Sequence, residues 1–300
     1  MRIGVDLGGT KVEAVVLADD GAVVARRRVP TPAGDYQGTV ATVAGLVADL
    51  EREVGGRCTV GAGTPGAVSP ATGRMKNCNS TCLNGQPLGA DLSAALGREV
   101  RLANDADCFA LSEATDGAGA GHACVFGVIL GTGVGGGVVV NGRLLHGPNA
   151  IAGEWGHNPL PAPTDDERPG PPCYCGRAGC IETFLSGPGI AREHRAVTGQ
   201  DVDTAEIVRR AERGDATCAL SVERACDRLA RALASVVNLL DPHVIVLGGG
   251  LGKVAAFYAR VPQLWARHVF SDRVDTRLVA PRHGDASGVR GAAWLWPPRA

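Results

Sequence analysis

The sequence predicts an α/β protein built from two related halves, and three observations lead there. Near the start, an apolar strand, a glycine turn, a second strand, a hairpin signal and a third strand follow one another. The same order recurs roughly 120 residues later, as a duplication of pattern rather than of identity. Three glycine turns each close an apolar strand: Asp6-Leu7-Gly8-Gly9-Thr10-Lys11, Gly131-Thr132-Gly133 and Gly248-Gly249-Gly250. Stretches with helical apolar spacing lie between and after the strands.

The elements follow in order. Residues 3–17 read as two strands around the first glycine turn, and Asp19-Asp20-Gly21 is a hairpin signal before a strand over 22–29. Val40, Val43, Leu46, Val47 and Leu50 share one helical face, which predicts a helix over 38–53. Strands are expected at 59–63, ending in Thr64-Pro65-Gly66, and at 100–103, running into Asn104-Asp105 and a helix to about residue 115. The second copy comprises a strand at 123–130, the glycine turn at 131–137, a strand at 138–140, Asn141-Gly142 and a strand at 143–145. The proline-rich, acidic stretch 161–172 has no apolar period and reads as an exposed loop. Helices dominate after 187. The longest spans 216–240 and stops at Asp241-Pro242, because proline cannot continue a helix. A buried strand at 244–247, a helix at 254–266, a strand at 277–279 and a last helix at 288–295 complete the chain. The glycine-rich 117–121 is the expected boundary: residues 1–117 form a smaller domain, on which a C-terminal helix within 288–300 packs, and 118–287 a larger one. A cleft is expected between them.

Composition narrows the functional classes. Thirty Lys plus Arg balance 31 Asp plus Glu, which disfavours a general nucleic-acid or membrane-surface binder. No apolar run approaches the roughly 18 residues of a membrane span. The first residues read as a strand rather than a signal peptide, so a cytoplasmic protein is expected. The 10 cysteines come without an export signal, and their close spacing in one place points to a metal site rather than a disulfide scaffold.

That place is Cys173-Tyr174-Cys175-Gly176-Arg177-Ala178-Gly179-Cys180. With His157 it offers a closed Cys3His set of the kind that holds structural Zn²⁺. The remaining cysteines (58, 78, 82, 108, 124, 218 and 226) read as small buried hydrophobes, Cys78 and Cys82 least clearly. Any single glycine turn is better read as a hairpin or bulge; three in a duplicated frame suggest backbone amides that cradle a polyphosphate. Asp6, at a strand end, suits Mg²⁺ held through water. Neither a P-loop nor a Rossmann fingerprint is present. Asp105 is either a helix cap or a base accepting a proton during phosphoryl transfer. Glu154, His157 and Glu182 can hydrogen-bond sugar hydroxyls, although their spacing alone fits a local ion pair better.

Together these residues resemble the ROK family of sugar kinases, within the actin-like, sugar kinase and chaperone ATPase superfamily. The likeness covers essentially the whole chain, to Ser287-Gly288-Val289-Arg290-Gly291-Ala292-Ala293. Within ROK it runs closest to bacterial fructokinases of the mannofructokinase type, through Lys76-Asn77, Asn79-Ser80-Thr81, Leu83-Asn84-Gly85-Gln86-Pro87, residues 153–161 and residues 291–297. The resemblance implies a duplicated actin-like, ribonuclease H-like ATPase fold and an ATP-dependent kinase that phosphorylates fructose, with mannose second, at the 6-hydroxyl. It implies Asp105 as base, and Gly66, Asn79, Asn104, Asp105, Glu154, His157 and Glu182 around the sugar. Asp6, Gly8, Gly9, Thr10, Lys11, Thr132, Gly133, Gly249 and Gly250 would serve MgATP, and His157, Cys173, Cys175 and Cys180 the zinc. His157 would then bind zinc through one ring nitrogen and a sugar hydroxyl through the other. A homodimer is the family's common state.

Glucokinase and N-acetylmannosamine or N-acetylglucosamine kinase are the alternatives within the family. A sugar-responsive ROK transcriptional regulator is disfavoured by the phosphate strand beginning at residue 3, which leaves no room for an N-terminal helix-turn-helix, and by the balanced charge. A catalytically dead sugar or nucleotide binder is disfavoured by the intact Asp105.

Overall fold

The computed structural model describes residues 1–297. The chain forms two compact units. One comprises Met1–Gly121, Gly137–Ala152 and the segment from Asp285 onward; the other comprises His122–Gly136 and Gly153–Gly284. In the first unit the chain runs through β1 (Arg2–Leu7), β2 (Lys11–Leu17), β3 (Val23–Pro30), α1 (Tyr36–Val54), β4 (Thr59–Thr64), the short pair β5 (Ala67–Val68) and β6 (Met75–Lys76), α2 (Leu88–Leu96), β7 (Val100–Asn104) and α3 (Asp105–Thr115). The elements that follow are β8 (Cys124–Leu130), β9 (Val134–Val140), β10 (Arg143–Leu144), α4 (Ile181–Leu185), α5 (Gly187–Thr198), α6 (Thr204–Glu212), α7 (Ala216–Leu240), β11 (Val244–Gly248), α8 (Ala255–Trp265), β12 (Arg277–Val279) and α9 (Ser287–Trp294).

Two five-stranded sheets share one topology: β3-β2-β1-β4-β7 and β10-β9-β8-β11-β12. In each, an antiparallel meander supplies three strands and the remainder pair parallel. This is the actin-like ATPase fold, an α/β fold duplicated within one chain. The central strands β8 and β11 are apolar on both faces (Val125 and Phe126, and Val244, Ile245, Val246 and Leu247, are all buried), as strands covered on both sides must be.

Local chemistry sets the helix ends. Asp35 caps α1 by accepting from the Gly38 amide at 2.9 Å, and Gly55, with φ of 67°, closes it in the left-handed region. Helix α7 has the bounds that its apolar stripe predicts, and Asp241 turns left-handed before Pro242. Helix α2 and the β5–β6 pair carried no pattern long enough to read. Residues 137–152 group with the first unit rather than with the second domain expected from sequence, because Leu144 packs against a cluster containing Val15, Leu111 and Val289. The loop at 161–172 departs from the expectation of full exposure: Glu167 is 6% exposed. Its carboxylate accepts from Arg228 Nε at 2.7 Å, from Arg231 Nη2 at 2.8 Å and from the Thr164 amide at 2.9 Å. These bonds hold its proton affinity down at about 2 against the opposing effect of burial. A single buried acid fixed to α7 leaves no periodic signal in a sequence. Among the described residues no helix is long and apolar enough to cross a membrane.

Helix α9 packs on β1, β4 and α3. A Cβ on Gly4 would lie 2.0 Å from the Val289 carbonyl, one on Gly61 2.0 Å from the Ala292 carbonyl, and one on Gly291 1.6 Å from the Cys108 carbonyl. Backbone meets backbone at all three, so no side-chain rotation relieves the contact. Gly291→Ala is therefore expected to destabilise the protein by about 3 kcal/mol or more. Gly288→Ala, on the same helix but with open space at its Cβ, should stabilise it by about 0.5–1 kcal/mol. Chemical denaturation of the two variants beside the parent checks both.

Candidate active site and metal centre

Strands β1, β4 and β7 run parallel, so their carboxyl ends deliver residues to one edge of the first sheet. Asp6 stands near the end of β1, Thr64 and Gly66 at and after the end of β4, and Asn104 and Asp105 at the β7–α3 junction. The Asn104 and Asp105 side chains both accept from the Ala106 amide, at 2.7 and 2.8 Å. Asn104 caps α3, which leaves Asp105 in the first turn, where the helix dipole favours a negative charge. Gly66 has φ of 95°, and a Cβ there would lie 2.5 Å from the Lys76 carbonyl, so the turn requires glycine. Its carbonyl faces Asn104 Nδ2 at 3.5 Å.

The first glycine turn is closed by the Gly8 amide on the Lys11 carbonyl at 3.0 Å and anchored by the Thr31 hydroxyl on the Gly8 carbonyl at 2.7 Å. Beside it is a cavity of about 390 Å³ lined in part by Gly8, Gly9, Thr10, Thr31, Asn79 and Thr81. The loop carrying Asn79 is pinned by Asn84, whose side chain bonds both the amide and the carbonyl of Cys78, at 2.9 and 3.0 Å.

Sequence reasoning missed Glu13. It is the cross-strand partner of Asp6, only 3% exposed, and gathers Arg26, Arg28 (Nη2 at 2.6 Å) and Lys11 (Nζ at 3.6 Å) around one carboxylate. The signal was available: Asp6, Lys11, Glu13 and Arg28 fall on one face in the hairpin register. Burial, then the charges of Asp105 and Glu13, push the Asp6 carboxyl up to about 6, against the pull of Lys11 and Arg28. A site where two carboxylates oppose each other's ionisation suits a divalent cation, and Asp6 fits the role of holding Mg²⁺.

In the second unit the turn after β8 is closed by the Gly131 amide on the Gly133 carbonyl at 2.9 Å. Glu182, assigned to the sugar from sequence, has its Oε2 on the Val134 amide at 2.9 Å, and a Cβ on Gly133 would meet that oxygen at 2.8 Å. Glu182 therefore braces the Thr132–Gly133 turn. Gly249, with φ of 78°, lies against the Leu130 carbonyl, where a Cβ would approach to 2.3 Å, and Gly250 opens the next turn. Trp155 anchors the segment 153–157 by donating to the Gly135 carbonyl at 3.0 Å. A Cβ on Gly156 would come within 2.1 Å of the Val134 carbonyl. Trp155 and Gly156 are thus held against β9, between Glu154 and His157.

His157, Cys173, Cys175 and Cys180 bring one ligand atom each to within 4.8 Å of one another. Cys175 and Cys180 sulfurs are 3.6 Å apart, and Cys173 Sγ is 3.5 Å from His157 Nδ1. A tetrahedral Zn²⁺ with ordinary bond lengths needs ligand separations of about 3.4–3.8 Å. The donor set therefore fits zinc in type and number, and the two separations of 3.5 and 3.6 Å match that spacing. The Arg177 guanidinium holds the Cys175 thiol down at about 6, while burial and the neighbouring sulfurs push Cys180 up to about 12. Crowded sulfurs that resist ionising together suit a bound cation. Five of the other cysteines are buried, as expected; Cys82 and Cys124 are partly so.

The family model that matches this chain is the ROK family, over residues 2–299. The chain belongs to the ROK family. It is 40% identical over 299 residues to the N-acetyl-D-glucosamine kinase of Yersinia enterocolitica, covering 98% of this chain and 99% of that protein. The kinase of the same name from Escherichia coli O6:H1 matches to the same extent. Among solved structures it is similar to a ROK hexokinase from Thermus thermophilus (TM-score 0.87, 33% identity, covering 97% of this chain and 96% of that one). It is also similar to a ROK glucokinase from Streptomyces griseus in complex with glucose and AMPPNP (TM-score 0.78, 27% identity, covering 98% of each). Within the family the chain stands with the sugar kinases.

These relatives do not support fructose as the acceptor; they fit the amino-sugar alternative better. The structure shows why several motifs behind the fructose expectation do not discriminate. Gly85 and Gln86 pair with Met75, Gly291 packs against Cys108, and Trp296 donates to the Val60 carbonyl at 2.7 Å while stacking on Arg101. Such residues report packing within the first unit, not the identity of a sugar.

Two outcomes follow from this chemistry. Cys175→Ser should lower zinc per chain and the unfolding temperature together; unchanged zinc by elemental analysis defeats the ligand assignment. Asp6 carries a proton in the folded protein up to about pH 6 but loses it near pH 3.8 when unfolded. Its charge thus costs stability above about pH 6 and nothing below about pH 4. Without Mg²⁺ and nucleotide, Asp6→Asn should gain about 2–3 kcal/mol at pH 7.5 and nothing near pH 4, read by denaturant unfolding at the two pH values.

Proposed function

We propose that this chain is an ATP-dependent N-acetyl-D-glucosamine kinase that transfers the γ-phosphoryl group to the 6-hydroxyl. The observation that carries this reading is 40% identity, across nearly the full length of both chains, to kinases named for that sugar. Glucose is the second reading, favoured by the ROK glucokinase of similar fold.

In this reading the 6-hydroxyl oxygen attacks the γ-phosphorus, its proton passes to a carboxylate oxygen of Asp105, and ADP leaves. Asp105 suits the task because its place in the first turn of α3 stabilises the ionised form that must accept the proton. Phosphoryl transfer asks little covalent chemistry of a protein, so positioning and charge stabilisation carry most of the rate. The backbone amides of Gly8, Gly9, Thr10 and Lys11, and those of Thr132 and Gly133, serve the phosphates; Gly249 and Gly250 serve the adenosine side. Asp6 is the residue to hold Mg²⁺, which when bound neutralises charge on the transferring phosphates. Gly66, Asn79, Asn104, Glu154, His157 and Glu182 are the residues to serve the sugar, Glu182 through the turn it braces. Zinc at His157 and the three cysteines is structural, since the set leaves no open position.

A coupled ADP-release assay across N-acetylglucosamine, glucose, mannose, N-acetylmannosamine and fructose, with the product mapped by NMR, tests the reading. N-acetylglucosamine should have the highest kcat/KM, with phosphate on C6. Better turnover of any other sugar overturns the assignment. Asp105→Asn should fold, keep zinc and lose about 10²–10⁴-fold in kcat; near-parental turnover removes Asp105 from the mechanism.

A further inference from the structure

The hydroxyl of Tyr174 lies 2.9 Å from Nε2 of His157, and the two rings meet edge to face with centroids 5.0 Å apart. Nδ1 of the same imidazole faces the cysteine sulfurs. With Nδ1 turned to a metal, Nε2 is the nitrogen that carries the proton, and it donates to the phenol oxygen. Tyr174 itself stands 83% exposed. Glu182 and Glu154 lie close enough to act electrostatically on its phenol. Tyr174 thus sits among three side chains assigned to the sugar, although it belongs to the cysteine loop and carries no ligand atom.

A single N–H makes one good hydrogen bond. The phenol oxygen and a sugar hydroxyl cannot both hold Nε2 in that geometry. We propose that Tyr174 sets acceptor affinity by competing with the sugar. In the free protein its hydroxyl occupies the position on His157 that an acceptor hydroxyl takes, and binding exchanges one for the other. This rests on the sugar-kinase reading above and on the role of His157 within it. The exchange does not require the metal loop to move. The Cys173 amide bonds the Arg177 carbonyl at 2.7 Å and the Gly176 amide bonds the Cys173 carbonyl at 3.0 Å, so the backbone on both sides of Tyr174 is tied. The exposed phenol swings away by rotating about its own Cα–Cβ bond.

Replacing a neutral, exposed hydrogen bond of ordinary strength corresponds to about a three- to tenfold change in affinity. The test is calorimetric titration of parent and Tyr174→Phe with N-acetylglucosamine, glucose and mannose, alongside zinc per chain and the KM for ATP. Phenylalanine keeps the ring and removes only the hydroxyl. The variant should bind its sugar three- to tenfold more tightly, with zinc content unchanged and the KM for ATP within twofold of the parent. Equal or weaker sugar binding overturns the proposal, because the hydroxyl would then be neutral or a contact to the sugar. Loss of zinc also overturns it, because the hydroxyl would then be holding the metal loop. If the parent prefers glucose or mannose, the N-acetylglucosamine reading falls, while the ratio measured with the preferred sugar still decides the role of Tyr174. If neither protein binds any of the three, both readings fall together.

Discussion

Parallel pairing of β1, β4 and β7 is the constraint on which the first unit depends. Parallel strands finish at the same edge, and their connections must cross back over the sheet, so that edge collects residues far apart in sequence. Asp6, Gly66 and Asp105 reach it this way. The second sheet repeats the arrangement with β8 and β11, which end at Gly131–Gly133 and Gly248–Gly250. Helix α9 belongs to the same constraint: it covers β1 and β4 because Gly4 and Gly61 allow backbone to lie on backbone, and Gly291 does the same against α3.

Charge placed at the strand ends has to be balanced. Burial raises the proton affinity of Asp6, and the charges of Asp105 and of its cross-strand partner Glu13 raise it further. Lys11 and Arg28, held by Glu13, work in the opposite direction. The second unit solves a similar problem twice. Glu167 is buried with two arginines of α7 and ties down the loop that leads into Cys173. Further along, three sulfurs and an imidazole converge at distances that suit a zinc ion. Breaking a buried pair such as Glu167 with Arg231 leaves one charge without its partner, which is far more costly than losing a surface pair. The loop is therefore anchored although it has no apolar face of its own.

Several motifs that suggested a fructose acceptor bear on the fold instead. Trp296, Gly291 and the Leu83–Pro87 turn are distinctive in sequence, yet in the structure they serve packing and turn geometry. Side chains near His157 are less distinctive. Tyr174 looks like a spacer between two cysteines until its hydroxyl is seen on the imidazole. Family resemblance read from packing motifs reaches the fold reliably and the substrate poorly, because a well-packed interior is compatible with many surfaces.

By itself the sequence determined the duplicated α/β architecture, the three glycine turns, the bounds of α7 and β12, and the convergence of His157 with its cysteines. Each is written in local spacing: periods of two and 3.6, glycine at strand ends, proline after a helix, and closely set metal-binding side chains. Only the tertiary structure decided that Glu13 backs Asp6, that Glu167 is buried, that residues 137–152 group with the first unit, that Glu182 braces the Thr132–Gly133 turn and that Tyr174 holds His157. These depend on strand register and on contacts between segments up to about 150 residues apart in the chain. Such contacts are set by packing of the whole unit and leave no period in the local sequence.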